Sequence, residues 1–244
     1  MITSVDNPRV KEVLRLRRSR ERRVSGLLVA EGRREVERAL EAGLALRSAY
    51  VAPELIDDWP HPAEPVSARV LAKMSYRQEP EGVLAIFEAP RRELPPDASL
   101  VLVAVGIEKP GNLGAMARTA DAAGADALLV AGAPSDPWNP NAIRSSTGAV
   151  FTLPIVDVTL DDVLALPLRR VAAVVGASTP YSAADLTVPT ALVVGAEDTG
   201  LDAQWRSAAD ERVALPMLGR TADSLNAATA AAVLLYEAVR QRGR

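Results

Sequence analysis

Two segments of the 244-residue chain set polar side chains where a strand gives way to a helix. The first, GIEKPGNLGAMARTADAAGAD (106–126), has Gly111, Asn112 and Gly114 at a turn and Arg118 about one helical turn inside. Glycines at such a turn allow positive φ and let a ligand approach the backbone closely. A phosphate loop would need Gly-Lys-Ser/Thr after its spacer, which is missing here. Gly106, Gly111 and Gly114 give GxxxxGxxG, which is not the dinucleotide pattern GxGxxG. On its own, this segment reads equally well as a tight strand-to-helix connection. In the second, VALPMLGRTADSLNAATAAAVLLYEAV (213–239), a strand is expected to end at Leu215-Pro216 and Ser224-Leu225-Asn226 to open the last helix. Ser224 is the expected helix cap. Asn226, polar in the first turn of an Ala/Leu helix, is placed to turn its amide toward a site.

A third segment, LVVGAEDTGL (192–201), contains Asp198-Thr199-Gly200, the form of an aspartic-protease site. That chemistry needs two carboxylates facing each other. The tripeptide occurs here as a single copy between a parallel-type strand and a helix-compatible stretch. A Gly-rich loop that holds Glu197 beside a bound small molecule fits the pattern better.

The elements that would position these loops follow from hydropathy. Apolar runs at 100–105, 127–131, 171–176 and 191–195 alternate with helix-compatible stretches. Fully apolar strands alternating with helices imply an α/β domain with a parallel sheet covered on both faces. Ligands of such sheets bind beyond the carboxyl ends of the strands, where these loops begin. The last helix is expected from Ser224 to about Arg242, with Leu225, Ala228, Ala232, Leu235 and Val239 on one stripe. Upstream, strands are expected at 27–30, 49–52 and 83–87, with a helix over 31–43 that Gly43 can end and a loop over 53–65. APRRELPPDA (89–98) reads as a linker. The chain thus divides into 1–88, 89–98 and 99–244.

Composition narrows the chemistry. There is no cysteine, and His61 is the only histidine, so thiol nucleophiles, disulfides and multi-His metal sites are not expected. No run approaches a membrane span and the N-terminus lacks an apolar signal core, so a cytoplasmic protein is expected. The net charge of −3 conceals an asymmetry: residues 1–50 carry 12 Lys/Arg against 7 Asp/Glu, and the remainder 16 against 24. Six arginines fall within residues 15–23. On a single helix starting at Pro8, Arg15, Arg18 and Arg22 would share a face. That face is either solvated or a phosphate-binding strip, since Arg forks match phosphate oxygens.

Taken in order, the three loops resemble the motifs of the SpoU/TrmH-type RNA ribose 2′-O-methyltransferases of the SPOUT superfamily. The matching residues are Asn112-x-Gly114-x-x-x-Arg118-Thr119, Gly195-x-Glu197-x-x-Gly200-Leu201, and Pro216-Met217 with Ser224-Leu225-Asn226. NPNAIRSSTGAVFTLPI (139–155) is similar to the family's connecting segment. DNPRVKEVLRLR, VAEGRREVERAL and RQEPEGVLAI resemble the substrate-binding domain that precedes the catalytic domain in many members.

The resemblance implies a C-terminal SPOUT domain with a deep trefoil knot and a small mixed α/β (L30e/L7Ae-like) N-terminal domain. It implies S-adenosyl-L-methionine as methyl donor, a homodimer and no metal. Arg118, Glu197, Asn226 and Asn112 become the implied catalytic residues. Gly195, Leu215, Met217, Ser224 and Leu225 become the implied cofactor contacts, and Arg15, Arg18, Arg22 and Arg144 the implied RNA contacts. The basic N-terminal domain favours 23S ribosomal RNA over transfer RNA. A transfer-RNA enzyme, a non-catalytic RNA-binding or ribosome-assembly factor, and a small-molecule α/β enzyme are the competing expectations. Two features depart from the family's pattern: Asp198 stands where Gly is usual, and the spacer from Gly219 to Ser224 is one residue longer.

Overall fold

The computed structural model describes residues 1–132 and 135–243, which fall into two compact units. The first comprises Met1–Arg91 and Asp136–Thr152. Its opening helix α1 (Pro8–Arg15) starts where Asn7 accepts a hydrogen bond from the Arg9 amide and Pro8 occupies the first turn. Val10 and Val13 are buried on its inner face. The expected single Arg-rich helix does not continue. The chain turns extended at Arg18 and restarts as α2 (Ser19–Ser25), which Gly26 ends in the left-handed region. Burial of Leu16 between the two helices draws the chain inward at the break.

The strands that follow are β1 (Leu27–Glu31), β2 (Leu46–Val51), β3 (Glu64–Pro65) and β4 (Val83–Glu88), with α3 (Arg33–Glu41) and α4 (Ala68–Met74) between them. They pair in the order β1-β4-β2-β3, with β4 antiparallel to both neighbours and β3 parallel to β2. The stretch 53–65, expected as loop, thus contributes its last two residues to a strand. Val13, Val29, Tyr50, Leu71 and Ile86 lie at the centre of this unit's core.

The second unit comprises Arg92–Ser135 and Leu153–Arg244. It begins with β5 (Leu100–Val105), α5 (Pro110–Ala122) and β6 (Ala127–Ala131). The next helix, α6 (Pro140–Ser146), belongs to the first unit. Then come β7 (Ile155–Val158), α7 (Leu160–Leu164), β8 (Arg169–Ala173), β9 (Thr179–Pro180), β10 (Thr190–Val194), α8 (Ala203–Ala208), β11 (Glu211–Ala214) and α9 (Ala227–Gln241). The sheet runs β7-β6-β5-β10-β8-β11-β9 with every pair parallel. Every residue of β5, β6 and β10 is buried, so the central strands are covered on both faces, as their apolar runs require. β8 starts at Arg169, ahead of the apolar run. The charges of Arg169 and Arg170 are carried by Glu211 and Asp210 at 2.6 and 2.7 Å.

In the first unit, the 136–152 segment is tied to α2 and α3. Arg22 is 2% exposed and donates to the Asp136 carboxylate at 2.8 Å and to the Leu16 carbonyl at 2.6 Å. Arg38 donates to the Thr147 carbonyl. This corrects the expectation of one arginine strip: Arg15 and Arg18 are exposed, but Arg22 points inward onto a carboxylate 114 residues away. Arg144 is exposed and donates to Asn141.

Candidate active site

β5 and β10 are parallel neighbours, so the loops leaving their carboxyl ends meet at the point where the strand order reverses. After β10 the chain doubles back. The Gly200 amide donates to the Ala196 carbonyl at 2.9 Å, and Gly200 takes φ +63°. A Cβ on Gly195 would lie 2.4 Å from the Gly200 carbonyl carbon, so only glycine fits there. Gly195 is required by the close approach and Gly200 is favoured by its left-handed φ, and Leu201 then enters the core of the unit. This is the local reason for the spacing Gly-x-Glu-x-x-Gly, and it leaves Glu197 projecting from the tip of a tight loop.

Three other elements converge on that carboxylate. The residue before α5, Lys109, donates from Nζ to Glu197 Oε2 at 3.0 Å. Asn112, in the first turn of α5, donates from Nδ2 to Glu197 Oε1 at 2.7 Å. Asn226 donates from Nδ2 to the same oxygen and to Asn112 Oδ1, the latter at 3.3 Å. Its own Oδ1 accepts from the amides of Ala228 and Thr229, which makes it the cap of α9. Both ends of the Asn226 amide are therefore committed, one to the helix and one to the site. The expected cap, Ser224, lies two residues upstream and bonds to Asp223 instead. The Glu197 carboxyl lies below the ordinary carboxylate range, chiefly because of the Lys109 hydrogen bond. That contact correspondingly pushes the Lys109 ammonium up.

Beside this network is a cavity of about 390 Å³. Its lining includes Gly195, Leu215, Met217, Ser224 and Leu225, together with Glu197. The sequence places all five in one group, and the fold brings them to one wall. Arg118 is placed differently. It is exposed on α5, lines no part of the cavity, and makes no hydrogen bond or ion pair among the described residues. Six residues beyond Asn112, it sits roughly 9 Å further along the helix axis.

Lys109 is absent from the sequence-derived site. The available signal was slight: it is one of only three lysines, and it directly precedes the proline that starts the helix bearing Asn112. Asp198 and Arg206 also line the cavity and were not assigned to cofactor binding.

Comparison with known proteins places these features in a family. Residues 99–236 match the model of the SpoU rRNA Methylase family, and residues 7–85 match the MRM3-like substrate binding domain. The 23S rRNA (guanosine-2′-O-)-methyltransferase RlmB of Pseudomonas putida is 38% identical over 91% of this chain and 90% of its own. A crystal structure of an RNA 2′-O ribose methyltransferase superposes with a TM-score of 0.88 at 44% identity, covering 100% of this chain and 99% of that one. The SpoU methyltransferase AviRb from Streptomyces viridochromogenes, solved with AdoMet, gives 0.85 at 31% identity, covering 97% and 98%. Two family models and a network at the sheet's switch point agree: the chain belongs to the SpoU rRNA methylase family.

Proposed function

We propose that this protein transfers a methyl group from S-adenosyl-L-methionine to a ribose 2′-hydroxyl of structured 23S ribosomal RNA. The observation that carries the reading is the cavity at the carboxyl ends of the parallel strands, bordered by the Glu197–Asn112–Asn226 network. The residues suit the donor. At about 390 Å³ the cavity falls within the ~300–1,000 Å³ of small-molecule sites. Leu215, Met217 and Leu225 offer apolar surface for an adenine ring, and the backbone around Gly195 and Ser224 supplies polar groups. When bound, the sulfonium supplies a methyl already activated for transfer, so the chain's work is alignment and charge management.

Glu197 ties the first turn of α5 to the cap of α9 and so holds the cleft in one geometry. Arg118 is a permanent cation, since guanidinium does not deprotonate in proteins. It orients the RNA phosphate and steadies negative charge developing on the ribose oxygen. In the first unit, exposed Arg15, Arg18 and Arg144 are suited to phosphate contacts. The finer reading comprises an L30e/L7Ae-like substrate domain over 1–88, a linker over 89–98 and a knotted SPOUT domain over 99–244. It also includes a homodimer and a cytoplasmic location alongside the ribosome.

Arg118→Ala tests the assignment. Methyl transfer to ribosomal RNA should fall below detection while S-adenosylmethionine affinity, measured by isothermal titration, stays nearly unchanged. Retained turnover would remove Arg118 from its role. Failure of the folded wild-type protein to bind S-adenosylmethionine would overturn the enzyme reading itself. Mapping 2′-O-methylation across total RNA with and without the gene identifies the nucleotide.

A further inference from the structure

We propose that Lys109 is a positioning residue of the methyl-transfer site, holding Glu197 as a fixed anchor for Asn112 and Asn226 and so excluding it as acceptor of the ribose proton. The inference rests on the function proposed above and concerns how its site is held.

The argument begins with acceptor capacity. A carboxylate has about four lone-pair sites. Glu197 meets four donors: Lys109 Nζ, Asn112 Nδ2, Asn226 Nδ2 and the backbone amide of Ala227. Three side-chain donors already direct its lone pairs, which makes Glu197 an anchor rather than an acceptor of the ribose proton. The two asparagine amides share Oε1, and Lys109 holds Oε2. Three of the four donors are neutral. Only Lys109 brings a charge, and charge-assisted hydrogen bonds are the stronger kind.

Geometry makes Lys109 the group that sets the direction of the carboxylate. It occupies the turn between β5 and α5 and meets Oε2, whereas Asn226 at the start of α9 meets Oε1. Without it, Oε2 would be free to rotate, and the bonds from the asparagines to Oε1 would lose their register. Asn226 would then cap α9 without any link to α5. The charges around this ion pair are Glu108, beside Lys109, Asp198, beside Glu197, and Arg206 and Asp223, which line the same cavity as Glu197. Among the described residues Lys109 is the cation hydrogen-bonded to Glu197. Its side chain is 70% exposed and that of Glu197 only 19%. The lysine therefore acts from the solvent side on a half-buried carboxylate at the cavity rim.

The test compares Lys109→Met and Lys109→Arg with the wild type in steady-state methyl transfer between about pH 5.5 and about pH 9, a window wide enough to show both limbs of a bell-shaped profile. Lys109→Met should lower kcat roughly tenfold near neutral pH and move the acid limb of the profile upward, since Glu197 protonates more readily without its cation. Lys109→Arg should restore both. S-adenosylmethionine affinity should not change in either. A KM effect on RNA with unchanged kcat, and a flatter salt dependence, would make Lys109 a phosphate contact and overturn the proposal. An unchanged profile in Lys109→Met would overturn it too.

A second readout does not depend on catalysis. Carbon-13 NMR of the Glu197 carboxyl in the ligand-free protein should show a higher titration midpoint in Lys109→Met than in the wild type. If the wild type proves inactive, this comparison still decides whether Lys109 controls Glu197. An unmoved midpoint would end the proposal whatever the activity.

Discussion

Glu31 and Glu35 in the first unit and Glu197 in the second all hold loops by accepting hydrogen bonds, yet their surroundings differ. Glu31 is 7% exposed and accepts from the amides of Tyr76 and Arg77 at 2.5 and 3.2 Å. Glu35, fully buried, takes Arg77 at 3.1 Å and Arg34 at 2.7 Å. Arg77 also pairs with Glu81, whose carboxylate packs against Gly32 at φ +91°, where a Cβ would lie 2.4 Å from it. The 75–82 loop is thereby pinned to the start of α3 from several directions. Glu197 stands at the rim of a cavity and keeps its charge through an exposed lysine. Burial makes a carboxylate a structural part whose loss destabilises its unit. A rim position with a cation makes it a device whose loss costs function and little stability.

The largest effect expected from this contrast is on Glu197→Ala. Turnover should fall on the order of 10²–10³-fold, the scale of losing a preorganised polar group from an active site. The melting temperature should stay within about 2 °C, because the loop's closure rests on Gly195 and Gly200 rather than on the carboxylate. A drop of much more than that in thermal unfolding would mean that Glu197, too, is structural.

Glu35→Ala should do the reverse. It leaves the Arg77 guanidinium, itself mostly buried, without one of its carboxylates. About 3 kcal/mol of stability should be lost, as when one partner of a buried pair is removed. Denaturant unfolding followed in the first unit would read this loss. Turnover per folded molecule should change less than about threefold, since its partners, Arg34 and Arg77, are not among the residues assigned to methyl transfer.

Much of the site could be read from the chain because its signals are local. Gly-x-Glu-x-x-Gly encodes a tight loop suited to glycine at both ends, and Asn112 and Asn226 are polar residues in the first turn or at the cap of their helices. The apolar runs of β5, β6 and β10 mark central strands because both faces of those strands are buried. The residues that escaped have partners set by the fold. Arg22 falls with Arg15 and Arg18 among the expected RNA contacts because Asp136, its partner, lies 114 positions away. β8 hides its first two residues behind arginines whose charges are met across the sheet. β7 is an edge strand with little burial, and β9 has two residues, so neither writes a hydrophobic pattern. Lys109 meets Glu197 across 88 positions, a pairing that no local pattern marks.

That correction to the arginine strip makes a smaller prediction. Replacing Arg15 and Arg18 with Gln should weaken RNA binding and reduce the slope of log affinity against log salt by about 1–2, since each phosphate no longer neutralised removes roughly 0.7–0.9 from it. Filter binding across a salt series measures it. Arg22 does not belong in that set, because its guanidinium is spent on Asp136 and Leu16. An unchanged slope in the double variant would make the exposed arginines a solvated face.

The smallest effects, and the most direct test of the contrast, are the titrations of the carboxylates themselves. Burial pushes the Glu31 carboxyl up from its ordinary 4.5, despite the backbone amides it accepts from. Lys109 brings the Glu197 carboxyl down from the same value. The two therefore enter the pH dependence of stability with opposite signs. Glu197 contributes stability above the unfolded-state value, and that contribution fades as pH falls through its lower folded value. The contribution of Glu31 is present below the unfolded-state value and fades as pH rises through its higher folded value. Carboxyl NMR on one sample should find Glu31 still partly protonated at a pH where Glu197 is fully ionised. Midpoints in the opposite order would overturn burial and the lysine as what divides these two networks.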